Sequence, residues 1–222
     1  MRRLLLLLSL VTATPALAAD IDVLRANFIG YYTAAGADRS SPRMQEALGA
    51  LEGTARAYTA PGFLLGDGSW SDINYQETPD GAWSPWAHVQ RLTIMAKAYR
   101  TPGQSFYQSP QLLAQIDASL AYVDTFYGIT KLPLGNWWFW TMGVPLDLAP
   151  TLVLMRGDIA PATYDNLVRA IQLRIGSSPT ARGISGPVPT GENLVWSCHT
   201  HLALALLKDD ATMLAAVRDA MA

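Results

Sequence analysis

The sequence predicts an all-α protein built of antiparallel helical hairpins, and three observations lead there. Apolar residues recur at helical spacing in seven separate segments, clusters of Pro and Gly divide these segments, and the alternation typical of strands is scarce. Met44, Leu48, Leu51 and Ala55 form one apolar face in a stretch rich in Ala, Leu, Glu and Arg that ends at Tyr58. Val89, Leu92, Met95, Ala96 and Tyr99 do the same between Trp86 and Tyr99, as do Leu112, Ile116, Leu120, Val123 and Tyr127 from Gln111 onward. Asp147 to Met155, Ala162 to Ile175, Asn193 to Leu207 and Ala211 to Met221 complete the series. Breakers at Pro61-Gly62, Pro79 to Gly81, Thr101 to Gly103, Pro133 to Gly135 and Gly157 to Pro161 are short enough to join antiparallel neighbours. Two irregular stretches are longer: Gly62 to Gly81, which holds Trp70, Asp72, Tyr75 and Glu77, and Gly176 to Pro189, which reads equally as a functional loop or a linker.

Residues 1–19 have the layout of an export signal. Arg2 and Arg3 precede an apolar run, Leu4 to Leu8 with Leu10 and Val11, and Ala16-Leu17-Ala18 supplies the small residues of a cleavage site. The mature chain is expected to begin near Ala19 or Asp20, without a membrane anchor, in a secreted or periplasmic setting, and as a monomer. Removing the two arginines leaves 14 basic against 18 acidic side chains, a balance that does not favour nucleic acid. An acidic polymer would need a local group of donors, since the overall field repels it weakly. Cys198 is the single cysteine, so no internal disulfide can form and stability rests on a packed core.

Asn136-Trp137-Trp138-Phe139-Trp140 hold three of the seven tryptophans. Indoles are hard to bury completely because each N–H needs an acceptor, whereas a sugar ring offers a C–H face to stack on and hydroxyls to pair with. Trp137 and Trp138, adjacent in sequence, point to different sides of any helix, so core and carbohydrate both remain open at this point.

Three further segments accompany this one: Trp70-Ser71-Asp72-Ile73-Asn74-Tyr75, a helix with His88, Arg91 and a Met95-Ala96-Lys97-Ala98-Tyr99 end, and Thr190-Gly191-Glu192-Asn193. In this order, from about Trp70 to the end of the chain, the four resemble the N-terminal helical domain of polysaccharide lyase family 8, the hyaluronate, chondroitin and xanthan lyases. The resemblance implies an incomplete (α/α) toroid with a long cleft and cleavage of a uronic-acid-containing polysaccharide by β-elimination, with no cofactor. Such chemistry needs a donor that neutralises the uronate carboxylate and a base near C5. Asn193 matches the family's donor. Independently, with Thr190 as N-cap, it falls in a first helical turn, where free N–H groups and the helix dipole favour an anion. Trp137 and Trp138 match the family's sugar-stacking patch, and Asn136, Trp140, Trp70, His88 and Arg91 are candidate neighbours in substrate binding. His88 and Arg91 can equally pair with Asp72 or Glu77.

The chain departs from the family in places. Phe139 and Thr141 stand where relatives carry acidic residues, and Leu146 where a basic one is frequent. Only 29 residues, 194–222, follow Asn193, and no tyrosine is among them. His199 and His201 stand too close to Asn193 to be the family's catalytic histidine. The expectation is therefore the N-terminal part of a toroid domain over residues 20–222, with the C-terminal part and the β-sandwich domains missing and little turnover alone. Two rivals stay open: a glycoside hydrolase on an α/α toroid, using two of Asp67, Asp72 and Glu77, and a non-catalytic carbohydrate-binding protein. Cys198, His199 and His201 do not make a metal site, because a His-x-His pair on a helix points its rings about 200° apart.

Overall fold

The structure, a computed structural model, describes residues 14–222. Among them are eight α-helices: α1 (Thr14–Thr33), α2 (Pro42–Tyr58), α3 (Ser84–Arg100), α4 (Pro110–Tyr127), α5 (Val144–Met155), α6 (Pro161–Ile175), α7 (Gly191–Lys208) and α8 (Ala211–Met221). Residues 61–70 contribute two isolated β-bridges. The basic and apolar parts of the expected export signal, residues 1–13, lie outside the described residues. Helix α1 was not anticipated, because its mixed polar pattern shows no sustained apolar face. No described helix is long and apolar enough to cross a membrane.

Local chemistry starts these helices where the breakers predict. Ser41, Ser109 and Asp210 each accept the backbone N–H three residues on, from Met44, Leu112 and Met213, and Pro42 and Pro110 fill first-turn positions where no N–H is required. Helix α3 is capped from a distance, since the Glu77 carboxylate accepts the Ser84 N–H at 2.6 Å.

The helices form two layers. Helices α3, α5 and α7 lie side by side, with α2, α4, α6 and α8 packed outside them and α1 touching all three inner members. Helix α5 is the most enclosed, with Leu148, Leu152, Leu154 and Met155 inaccessible to water. The amino-terminal portions of the inner helices meet, because Trp138 packs against Trp86 of α3 on one side and Trp196 of α7 on the other. The inner helices therefore run parallel, and each outer helix returns the chain to the same end, the alternation of an (α/α) toroid. At the other end, side chains from three helices cover the last carbonyls of α7. Arg25 of α1 and Arg156, which ends α5, donate to the Leu206 carbonyl and pair with Asp209, and Tyr164 donates to that of Leu207.

The aromatic segment sits on a distorted helix. Helical backbone begins at Trp137 rather than at Asp147, and passes through a π-helical turn, Phe139–Gly143, into α5. The Val144 N–H reaches back five residues to the Phe139 carbonyl. The next residue, Pro145, has no N–H to offer Trp140, and the buried Tyr127 hydroxyl supplies it instead, donating to the Trp140 carbonyl at 2.7 Å. Gly143, Val144 and Pro145 thus lie within the helical run. Tyr127→Phe leaves that carbonyl buried without a donor and should cost about 1–3 kcal/mol of unfolding free energy, read from denaturant titrations of the two proteins.

Candidate functional site

Asn136 delivers the tryptophans to the surface. Its own N–H donates to the Pro79 carbonyl at 2.8 Å and its Nδ2 to that of Asp80 at 2.9 Å, while its Oδ1 accepts the Trp138 N–H at 3.0 Å and so caps the helical run. The preceding Gly135 has φ +64°, and a Cβ there would strike the Pro79 carbonyl. Asn136 thus works as a joint between the 79–81 turn and the aromatic segment, not as a free donor for a ligand.

From this joint Trp137 and Trp138 diverge, as the helical period requires. The half-buried Trp137 ring lies against Gly186, where a Cβ would overlap the indole, so the 176–190 loop is seated beneath it. Trp138, also half-buried, lies edge-on to Trp86 (5.4 Å between centroids) and to Trp196 (5.6 Å). Trp86 Nε1–H donates to Asp147 Oδ2 at 2.8 Å. Burial raises the Asp147 carboxyl to about 6, against the lowering effects of that bond and of Lys97.

Asn193 lies one helical turn before Trp196 on α7, so the Trp196–Trp138 contact brings its turn to the aromatic patch. The residue is half-buried. Its Oδ1 is out of reach of water without a donor, and its Nδ2 has no acceptor among the described residues. Thr190 occupies the N-cap position with extended backbone but makes no side-chain capping bond, so the first N–H groups of α7 carry no such cap.

Other sequence candidates are placed differently. Trp70 is 1 % exposed and His88 is fully buried, with the two rings 4.6 Å apart and edge-on. Trp70 Nε1–H donates to the Tyr58 carbonyl, and its backbone N–H to the Tyr75 hydroxyl. The Ser119 carbonyl can only accept, so His88 Nε2 carries the proton toward it (2.9 Å), and Nδ1 accepts from the Tyr75 hydroxyl at 2.9 Å. Arg91 forms a bidentate pair with Asp72 (2.6 and 2.7 Å) and lies over the Tyr58, Phe63 and Trp70 rings. The Trp-x-Asp-x-x-Tyr loop and the His-x-x-Arg helix are therefore halves of one structural lock, and their expected contact with substrate is corrected by burial and by this pairing. Trp140 is likewise core, 4 % exposed with Nε1–H on the Leu134 carbonyl.

The carboxylates considered for hydrolysis are also committed. Asp67 accepts both the backbone N–H and the hydroxyl of Ser69, Asp72 holds Arg91, and Glu77 caps α3. Each of these bonds lowers the carboxyl below its ordinary range, opposite to what a general acid needs. His201 is buried with Nδ1 on the Ser197 carbonyl, and His199 Nε2 meets the Tyr32 hydroxyl at 3.1 Å beside an open pocket of about 640 Å³ that includes Phe28, Tyr31 and Lys97. Sequence reading passed over Trp86, Trp196 and Asp147. For Trp196 a signal was available, namely its three-residue spacing from Asn193.

A double layer of parallel inner helices, each followed by a returning outer helix, with half-buried indoles and an unpaired amide gathered at one end, defines the class, an α/α toroid. The chondroitin AC lyase of Streptomyces coelicolor A3, solved in complex with chondroitin sulphate, superposes with a TM-score of 0.77 at 22% identity, over 91% of this chain and 27% of that one. Paenibacillus xanthan lyase gives 0.76 at 23%, over 93% and 19%. At these identities the likeness is one of fold. In sequence, a hyaluronate lyase of Thermasporomyces composti is 25% identical over 211 residues, 94% of this chain and 26% of its own. A xanthan lyase of Bacillus sp. (strain GL1) is 30% identical over 163 residues, 71% and 15% respectively. Residues 30–222 match the model of the polysaccharide lyase family 8 N-terminal alpha-helical domain, and the chain belongs to that family. It spans about a quarter or less of the length of these relatives.

Burial of His88 gives the fold a pH dependence. Its folded value is pushed down from 6.5 to about 3, so the unfolded chain binds the extra proton first and stability falls as pH drops through that window. Asp147, raised to about 6, acts in the opposite sense, gaining stability as pH falls through its folded value. The expected balance is a falling melting temperature on acidification, with a shallower slope in His88→Gln and a steeper one in Asp147→Asn, measured by calorimetry across the window.

Proposed function

We propose that this chain supplies the sugar-seating and carboxylate-neutralising half of a polysaccharide lyase acting on a uronic-acid-containing polymer. The observation that carries the reading is the unpaired Asn193 amide, held one turn from Trp196, whose ring packs edge-on against the half-buried Trp138, at a helix start with no side-chain cap. In β-elimination the C5 proton leaves to a base, its electron pair forms the C4=C5 double bond, and the C4–O bond breaks with the proton delivered to the leaving oxygen. The C5 proton becomes acidic only when the adjacent carboxylate loses its charge to a donor. Asn193 Nδ2 and the first N–H groups of α7 offer that donor, and Trp137 and Trp138 offer faces for the flanking rings.

Among the described residues neither histidine of α7 is free to serve as the base, since His201 is buried and His199 is engaged two turns away by Tyr32. These residues by themselves are therefore inferred to bind glycan and to eliminate slowly or not at all. Residues 1–19 are inferred to direct export, and the protein to act outside the cytoplasm as a monomer.

Titration with hyaluronan, chondroitin, xanthan and alginate oligosaccharides should show binding to at least one, weakened about tenfold by Trp137→Ala or Trp138→Ala, the loss expected for one stacking contact. Ultraviolet absorbance reports the unsaturated uronide. In a chain that carries the base, Asn193→Ala should abolish most of that signal while leaving affinity within a few-fold. Cleavage that releases reducing ends without absorbance would mark a hydrolase instead, and binding to none of the four glycans would end this reading.

A further inference from the structure

Arg174 of α6 is fully buried and has no carboxylate partner among the described residues. Its cation lies over the Tyr127 ring at 4.4 Å and the Trp140 ring at 5.3 Å. One terminal nitrogen donates to the Ala170 carbonyl of its own helix at 3.2 Å. The other donates to the carbonyls of Gly128 (2.8 Å) and Lys131 (2.9 Å), while Nε finds no acceptor. A buried, unpaired cation is costly, and one that spends its hydrogen bonds on loop carbonyls fixes the course of that loop.

The loop it fixes is the one that delivers the tryptophans. Residues 128–131 open the segment that runs through Leu134, whose carbonyl takes the Trp140 indole N–H, to Asn136 and Trp137. The backbone of Arg174 holds the facing loop as well. Its carbonyl accepts the Ile184 N–H at 2.8 Å, and Gly183 approaches it so closely that a Cβ would not fit. Three residues on from Gly183, Gly186 lies against the Trp137 ring. One residue of the outer layer thus holds both sides of the Trp137 seat, the strand of chain that carries the indole and the loop on which it rests.

We propose that Arg174 is a positioning residue for Trp137: through the 128–131 carbonyls and the 183–186 loop it sets the orientation in which that indole meets a sugar ring. The inference deepens the proposed function at its stacking site and rests on it for the word sugar. The placement of the indole rests on geometry alone. Lysine keeps the charge but not the fork, and cannot bridge both loop carbonyls and its own helix at once.

The test compares Arg174→Lys and Arg174→Met with the parent protein, and repeats each in a Trp137→Phe background. Three quantities are read: melting temperature, acrylamide quenching of tryptophan fluorescence, and affinity for the best-bound oligosaccharide of the panel above. Expected are rotationally freer indole fluorescence with about twofold greater quenching, absent from the Trp137→Phe background, and an affinity loss of about tenfold that does not add to that of Trp137→Phe. A lower melting temperature with the Trp137-specific quenching and the affinity both unchanged overturns the proposal. Should Arg174→Met not fold, Arg174→Lys decides on the same readouts. Should the parent bind none of the glycans, the functional reading fails, and the quenching difference alone decides whether Arg174 orients the indole.

Discussion

A single phenol makes the aromatic surface possible. The π-helical turn Phe139–Gly143 follows the two tryptophans directly, and it places Pro145 where the next N–H would be needed. A carbonyl left alone at that depth would disfavour the whole arrangement, and Tyr127 answers it. Tyr127 is itself inaccessible and stacks on Trp140 at 5.8 Å, under the Arg174 guanidinium. The half-buried Trp137 and Trp138 rings are thus the outer edge of a buried polar construction in which phenol, guanidinium, indole N–H and loop carbonyls pair, with Arg174 Nε alone left without an acceptor among these groups.

Charge is distributed with the same economy. In the Gly62–Gly81 loop Asp67, Asp72 and Glu77 are tied to a hydroxyl, a guanidinium and a helix start respectively, which lowers their pKa and fixes the loop against α3. Asp147 on α5 contrasts with these, a half-buried carboxyl with one indole N–H as its hydrogen-bond donor and Lys97 as a more distant cation. It lies behind Trp86, so the indole trio rests on a group whose charge changes near neutrality.

The helices were legible because their apolar spacing and their Pro and Gly boundaries are local properties. Ser41-Pro42 and Ser109-Pro110 announce helix starts in any context. Helix α1 was not legible, since it is held by contacts with α3, α5 and α7 and by Arg25 reaching the end of α7, more than a hundred residues away. The π turn was hidden for a related reason. Pro145 reads as a break unless a distant donor is known to serve the vacant carbonyl. Of the site, motif order pointed to Asn193, Trp137 and Trp138, which the structure leaves near the surface, but also to Trp70 and His88, which it buries. A motif cannot separate residues that build a site from those that face it. The His-x-x-Arg and Trp-x-Asp-x-x-Tyr segments fit each other so closely that their pairing is a matter of packing.

Helix α7 is electrically lopsided. Two guanidiniums and a phenol cover its carboxyl end, where the peptide dipoles would otherwise present partial negative charge. At its amino end the exposed Glu192 stands in the first turn against the opposite pole, and no side chain among the described residues caps it. In a chain with more acidic than basic groups, backbone N–H groups without a side-chain cap therefore give this end of α7 a local partial positive charge. The attraction of such a charge for an anion is short-ranged and is weakened further by bulk salt.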